Sequence, residues 1–333
     1  MNRISIPRAT ELLAKAREVR ILVVGDLMLD RYLTGSVDRI SPEAPVPVVR
    51  VEGESWALGG AGNVAANVVA LGAGCEVVGC VGRDPEGQLL RERLRELGAS
   101  VEGILEIGDR PTTVKTRIMA RHQHVTRVDR EDSSDISPPL AQNLSESLHR
   151  LASSCQGIAV EDYNKGVLVS PVIQAALAAG RDASVPTVVD PKRLRFFEFG
   201  GATVFKPNSR ELEDALGERL QPDNPEWMDA VRDRLECETL LLTLGEQGMA
   251  VQSRGAGFLR VPTVARDVYD VSGAGDTVTA VLSVTLAAGA TPIEAAVLAN
   301  HAAAVEVGKA GVATVSPDEI LRQQRAFIGE EEV

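Results

Sequence analysis

What most constrains this chain is an alternation that runs through nearly all of it. Short apolar runs at residues 20–25, 75–81, 158–160, 187–189, 203–205 and 240–243 read as buried strands. Helical patterns at 85–97, 139–152, 171–182, 209–216 and 225–235 lie between them. Two small-residue helices within 277–309 and a last helix at 316–328, with Ser316 as N-cap and Pro317 at its first position, complete the series. Repeated strand–helix units imply an α/β fold: a central, mostly parallel sheet with helices on both faces. A chain of 333 residues suits one such domain, spanning 1–333.

Two regions break the alternation. Residues 32–58 carry Pro45 and Pro47 at alternate positions, and proline cannot donate to a strand ladder. This stretch reads as edge strand or projecting flap. Residues 112–130 contain two β-patterned segments that read as a hairpin. Together they predict a small β lid. Two such projecting sheets could clasp across a twofold axis, so a homodimer is expected.

Composition excludes several classes of partner. With 35 Lys+Arg against 47 Asp+Glu the net charge is −12, which argues against nucleic-acid or anionic-membrane binding. The first twenty residues lack the apolar core of a signal peptide and read as an amphipathic helix. The most apolar stretch, 277–290, is broken by threonines and Gly289 and is too short to span a bilayer. Cys75, Cys80, Cys155 and Cys237 form no C-x-x-C pair and fit reduced thiols in the cytoplasm.

The strongest chemical signal is Asp270-Val-Ser-Gly-Ala-Gly-Asp276, placed just before a helix. The N–H groups of Gly273, Ala274 and Gly275 at a helix N-terminus would make an anion site. An aspartate opposes anion binding, so Asp276 reads as a base that takes a proton from a substrate hydroxyl while the helix end stabilises a transferring phosphoryl group. A glycine-containing cap with an ordinary first-turn aspartate is the alternative. No G-x-x-x-x-G-K-[ST] is present, which excludes a P-loop.

A second signal is local charge. From residue 110 to 128 there are Arg110, Lys115, Arg117, Arg121 and Arg127 and no acidic residue. Arginine forks suit a phosphate monoester, although a charged edge strand that deters pairing has the same composition. Asp30 follows the first strand, where ligands sit in open α/β sheets, and could accept from sugar hydroxyls or cap a loop. Asp162 and Lys165 follow another apolar strand, as site residues or as a surface ion pair. Asn208 and Glu211 spell a capping box, which is compatible with holding a metal ion through water. Asn300 and His301 border a nucleotide base or simply pack a helix.

These motifs carry a resemblance. Asp270–Asp276 resembles the second signature of the ribokinase-like (PfkB) sugar kinases. Gly59-Gly60-Ala-Gly-Asn63 is similar to the first, a glycine pair with an asparagine at a sugar-facing helix start. Asn208-Ser-Arg-Glu211 resembles their N-x-x-E motif, and Thr243-Leu-Gly245 their T-x-G element beside the nucleotide. More narrowly, residues 25–32 and 39–48, Lys115-Thr-Arg117, Asp162–Gly166, Asp190-Pro-Lys192 and Tyr269-Asp270 resemble the D-glycero-β-D-manno-heptose 7-phosphate kinases. That family usually has Asn and Gln where this chain has His122 and His124.

The resemblance implies a ribokinase-like fold and phosphorylation of the anomeric 1-hydroxyl of the heptose phosphate, toward ADP-heptose and the lipopolysaccharide inner core. It implies Asp276 as base and Gly273, Ala274 and Gly275 as the anion hole. Asp30, Gly59, Gly60, Asn63, Lys115, Arg117, Arg121, Asp162 and Lys165 would bind the sugar phosphate. Asn208, Glu211, Thr243, Gly245 and Asn300 would bind ATP, with Asn208 and Glu211 arranging the waters of Mg²⁺ and Asp270 beside a K⁺ ion. Many such kinases are fused to an adenylyltransferase with an H-x-G-H motif. The four histidines here form none, so the chain resembles the stand-alone type, with a separate adenylyltransferase acting next. The rival readings are a same-fold kinase of another sugar or nucleoside, and a non-catalytic sensor. An unphosphorylated substrate needs no arginine clamp, and an intact Asp276 argues against a sensor.

Overall fold

The computed structural model describes residues 4–121, 123–265 and 267–331, so His122 lies outside the described residues. In chain order the strands are β1 (Arg20–Gly25), β2 (Leu27–Ile40), β3 (Pro47–Gly60), β4 (Gly74–Gly82), β5 (Ser100–Ile107), β6 (Thr113–Ala120), β7 (Gln123–Arg130), β8 (Gly157–Glu161), β9 (Thr187–Asp190), β10 (Val204–Phe205), β11 (Thr239–Thr243), β12 (Met249–Ser253) and β13 (Gly257–Val261).

Strand β1 shows why the sheet is covered twice. Ile21 and Val23 enter one apolar cluster, with the Ala61–Ala70, Ala274–Ala287 and Pro292–Glu306 helices. Leu22 and Val24 enter the other, with the Pro138–Ala152 and Ser170–Ala183 helices. A strand buried on both faces reads as a continuous apolar run, as RILVVG does. The nine-stranded sheet has the order β13-β12-β11-β10-β9-β8-β1-β4-β5. From β11 across to β5 every neighbouring pair is parallel; β12 and β13 are antiparallel additions at one edge. The strand order reverses between β1 and β8. Ligands of open α/β sheets bind in the crevice at such a switch point, outside the carboxyl ends of the strands.

A second sheet, β3-β2-β6-β7, forms the lid. Strand β2 begins one residue after β1 ends, so the lid grows directly out of the main sheet. Its strands β2 and β6 run parallel, with Asp30 opposite Lys115 and Tyr32 opposite Arg117. Pro47 opens β3, which is the free edge expected of a proline-bearing segment.

The sequence pattern differs from the structure at three points. The lid strands reach inward to Leu27 and Gly60, further than residues 32 and 58. Strand β5 had no apolar signature: it is an edge strand whose alternation is broken by Gly103 and by the outward Glu102 and Glu106. The β-rich run from 248 to 268 ends as strand at Val261. All four cysteines are buried free thiols. Among the described residues no helix is long and apolar enough to cross a membrane.

Gly60 closes β3 with φ +55, and a Cβ there would lie 2.5 Å from the Asp26 carbonyl oxygen. Gly60→Ala should therefore destabilise the fold by about 2 kcal/mol or more. Urea unfolding of the two proteins checks this.

Candidate active site

The carboxyl ends of β1, β8, β9, β10 and β11 deliver, in turn, Asp26, Tyr163, Asp190, Lys206 and Thr243 to one edge of the sheet. Asp26 ties two of these ends together. Its carboxylate accepts from the N–H groups of Tyr163 (2.8 Å), Lys165 (3.0 Å) and Val167 (3.2 Å). A cavity of about 930 Å³ opens at this edge, walled by Tyr163, Lys192, Glu211, Thr243, Gly275 and Asp276.

Asp276 sits in the first turn of the Ala274–Ala287 helix and is 4% exposed. Its Oδ2 accepts from Asn63 Nδ2 at 2.8 Å and its Oδ1 from the Tyr163 hydroxyl at 2.8 Å. Burial pushes its carboxyl up to about 6, against the two donors that favour the ionised form. Gly273 takes φ +94 as the N-cap residue, a conformation suited to glycine. The expected anion hole needs one correction. The Ala274 N–H turns back to the Val271 carbonyl at 3.4 Å, closing a turn. The N–H groups of Gly273 and Gly275 have no such backbone partner among the described residues.

Beneath Asp276 lies a set of buried carboxyls. Oxygens of Glu161, Asp190 and Asp276 fall within 4.8 Å of one another. Lys206 Nζ donates to Asp190 at 2.7 Å, both groups being buried. Burial raises Asp190, but Lys206 and Lys192 more than offset it and hold that carboxyl below its ordinary range. Neither Glu161 oxygen accepts a hydrogen bond among the described residues, burial beside Asp190 drives its pKa well up, and a proton on Glu161 can be donated to Asp190. Glu161 is therefore the protonated member of the set.

Elsewhere on the cavity wall, Asn208 and Glu211 form the expected capping box at the Ser209–Leu216 helix. Glu211 also holds Lys192. Its oxygens are thus taken by Lys192 and the Asn208 N–H, an arrangement that suits a metal ion held through water rather than directly. Thr243, Gly245 and Asn300 also line the cavity, Asn300 while donating to the Pro262 carbonyl at 2.8 Å. The neighbouring His301 is buried away from the cavity beside Phe327, and burial pulls its pKa down to about 4. Asp270 is part-buried and accepts from the Ser272 N–H at 2.9 Å.

The basic cluster resolves into separate roles. Arg117 forms an ion pair with Asp30 and lies 5.3 Å from the Tyr32 ring centroid. Asp30 is in turn packed against Gly59, where a Cβ would lie 2.8 Å from its Oδ2. Lys115 lies 5.0 Å from the Tyr163 ring centroid, and burial lowers its pKa. Arg110 is spent on loop carbonyls, those of Asp132 and Lys165. Arg127 pairs with Asp129 on the outer strand. Arg121 stands exposed at the far end of the β6–β7 hairpin with φ 56, and the structure does not bring it to the cavity. Lys165 faces Glu131 at 2.8 Å. Asp162 is buried, accepts from the N–H groups of Asn164 and Lys192, and is pushed up to about 6 by burial and Asp26. Its geometry is that of a loop anchor.

Sequence reasoning assigned no individual role to Asp26, Glu161, Tyr163, Asp190, Lys192 or Lys206. The available signal was position: each stands at or just past the end of an apolar strand on the ligand side of the sheet.

The profile of the pfkB family carbohydrate kinases matches residues 19–319. The chain belongs to that family. It has a ribokinase-like fold. It is 45% identical over 312 residues to the "Bifunctional protein HldE" of Citrifermentans bemidjiense, covering 93% of this chain and 64% of the relative. It is 44% identical over 314 residues to the protein of the same name from Geotalea uraniireducens, again spanning 64% of that relative's length. In structure it is similar to Arabidopsis thaliana ribokinase complexed with ribose and ATP (TM-score 0.72, 20% identity, 92% of this chain and 99% of that one). It is also similar to Escherichia coli phosphofructokinase-2 in complex with potassium (TM-score 0.77, 18% identity, 93% and 99%).

The buried carboxyl set makes a stability prediction for this pfkB kinase. Lys206→Met removes the ammonium from Asp190 and should cost about 3–5 kcal/mol. Adding Asp190→Asn should recover a large part of that loss. Denaturant unfolding of the single and double variants checks both outcomes.

Proposed function

We propose that this kinase transfers the γ-phosphoryl group of ATP to the anomeric 1-hydroxyl of D-glycero-β-D-manno-heptose 7-phosphate, giving the 1,7-bisphosphate. The product would feed ADP-heptose and lipopolysaccharide inner-core synthesis through an adenylyltransferase. The observation that carries the phosphoryl transfer is Asp276, a buried carboxylate held by two donors at a helix N-terminus on the cavity wall. The heptose assignment rests on the identity to the HldE proteins and on the lid cation at Lys115.

In this reading Asp276 takes the proton of the attacking hydroxyl. The Gly273 and Gly275 amides face the charge that develops on the transferred group, aided by the helix dipole. Asp30, oriented by Arg117, accepts from sugar hydroxyls, and Asn63 borders the same hydroxyl-bearing face. Lys115 lacks a carboxylate partner among the described residues, so it is the better candidate for the sugar phosphate, while Arg117 is committed to Asp30. Lys192 and the walls at Thr243, Gly245 and Asn300 receive the nucleotide. Mg²⁺ would be held through water by Glu211 and Asn208, and when bound it neutralises phosphate charge. A K⁺ ion beside Asp270 belongs to the same proposal. So does a homodimer, supported by free lid edges that expose Val51 and Val128. A cytoplasmic location is supported by the four buried free thiols.

The first test is ADP release with Mg-ATP and heptose 7-phosphate, beside ribose, fructose, fructose 6-phosphate and adenosine. Turnover confined to the heptose phosphate is the expected result. Turnover on an unphosphorylated sugar would leave the family and reject the heptose assignment. Asp276→Asn should lower kcat by about a thousandfold while ATP binding, read by calorimetry, persists. Because Asp276 must be ionised to act, kcat/KM should rise with pH through about 6 and level off above it. Lys115→Met should raise KM for the sugar phosphate by at least about tenfold and leave KM for ATP unchanged.

A further inference from the structure

Tyr163 is one of three tyrosines in the chain, and three of its contacts lead to different parts of the site. Its hydroxyl donates to Asp276 Oδ1 at 2.8 Å. Its ring centroid is 5.0 Å from Lys115 Nζ, on lid strand β6. The same centroid is 5.0 Å from Lys192 Nζ, the ammonium that holds Glu211. Its backbone N–H donates to Asp26, which anchors the loop that carries the ring.

We infer that Tyr163 is a positioning residue: its hydroxyl fixes the orientation and charge of Asp276, and its ring ties that base to one lysine of the lid and one of the nucleotide side. The inference rests on the reading of Asp276 as the base. A carboxylate gripped on one oxygen can still swing about its χ2 bond. Asn63 on Oδ2 and Tyr163 on Oδ1 together remove that freedom. Each oxygen keeps a lone pair, so a substrate hydroxyl can still be accepted in a fixed direction.

The charge argument points the same way. Burial and the Asp190 carboxylate both press Asp276 toward its neutral form, which cannot accept a proton. A donor aimed at the ionised form opposes that pressure. Burial holds the Tyr163 phenol well above its ordinary pKa, so it stays a donor across the working range. An ammonium near the ring draws electron density from the phenol and strengthens its O–H as a donor. Lys115 and Lys192 are also the groups expected to meet the two anionic substrates. Their departure toward phosphate would change the grip of Tyr163 on the base, so occupancy of both sites is communicated to Asp276 through one ring.

Tyr163→Phe tests this, because it keeps the ring and its lysine neighbours and removes only the hydroxyl. With the purified full chain, kcat and kcat/KM would be measured across the pH range alongside Asp276→Asn. The expected result is a fall in kcat of about 10- to 100-fold. KM for ATP should stay within about twofold, and the acid limb should move up from about 6 by at least half a unit. An acid limb that does not move overturns the proposal, whether or not kcat falls, since a merely structural role would lower activity without changing that limb. Wild-type turnover by Asp276→Asn would instead reject the base itself. Should Tyr163→Phe fail to fold, 3-fluorotyrosine at position 163 is nearly isosteric and a stronger donor. It should move the acid limb down, and an unmoved limb there also overturns the inference.

Discussion

The site depends on a balance of charge buried at the sheet's carboxyl edge. Three carboxyl groups, those of Glu161, Asp190 and Asp276, are packed close together out of water. They cannot all ionise there, since like charges in a poorly hydrated space repel strongly. Lys206 settles the matter for Asp190, the proton that Glu161 retains settles it for Glu161, and two neutral donors settle it for Asp276. The outcome is a division of labour among chemically similar groups: one paired, one neutral, and one left able to change its state. That the Asp276 carboxyl is pushed up to about 6 follows from its burial and the company it keeps rather than from any property of aspartate.

This balance explains why the surrounding architecture is so closely tied. Each member stands at the end of a different strand or at a helix start, so the parallel sheet and its register set their distances. The lid is an outgrowth of the same sheet. Strand β2 leaves β1 after Asp26 alone, and Asp26 itself is gripped by the loop that carries Tyr163. The lid and Asp276 therefore share a short, stiff path through Asp26 and Tyr163.

Much of this was legible in the sequence. The alternating pattern gave the sheet and both helical layers, because fully buried strands must be continuously apolar. The D-x-x-G-A-G-D element marked Asp276, and proline spacing marked a lid edge. What was hidden has physical reasons. Strand β5 lies at an edge, and although Val101 and Ile104 enter one core cluster and Ile107 the other, Glu102, Gly103 and Glu106 interrupt its apolar run. The basic run from Arg110 to Arg127 looked like one patch, yet strand alternation and loop geometry send its members to different tasks. Tyr163, Asp190 and Lys206 carry no periodicity of their own. Their meaning comes from neighbours far away in the chain, and single-residue spacing cannot report those.

That distance has a consequence for how the protein is made. Tyr163 reaches Asp26 across 137 residues and Asp276 across 113, and Asn63 reaches Asp276 across 213. During synthesis the lid and the first strands leave the ribosome well before the helix that completes the site. Until Asp276 emerges, the Asn63 side-chain N–H and the Tyr163 hydroxyl lack the carboxylate they donate to in the finished fold. The nascent chain can collapse around β1, but this corner of the sheet edge stays open until the helix that carries Asp276 has been made. Competence for chemistry is thus acquired late and in one step, by a chain whose frame has long been in place.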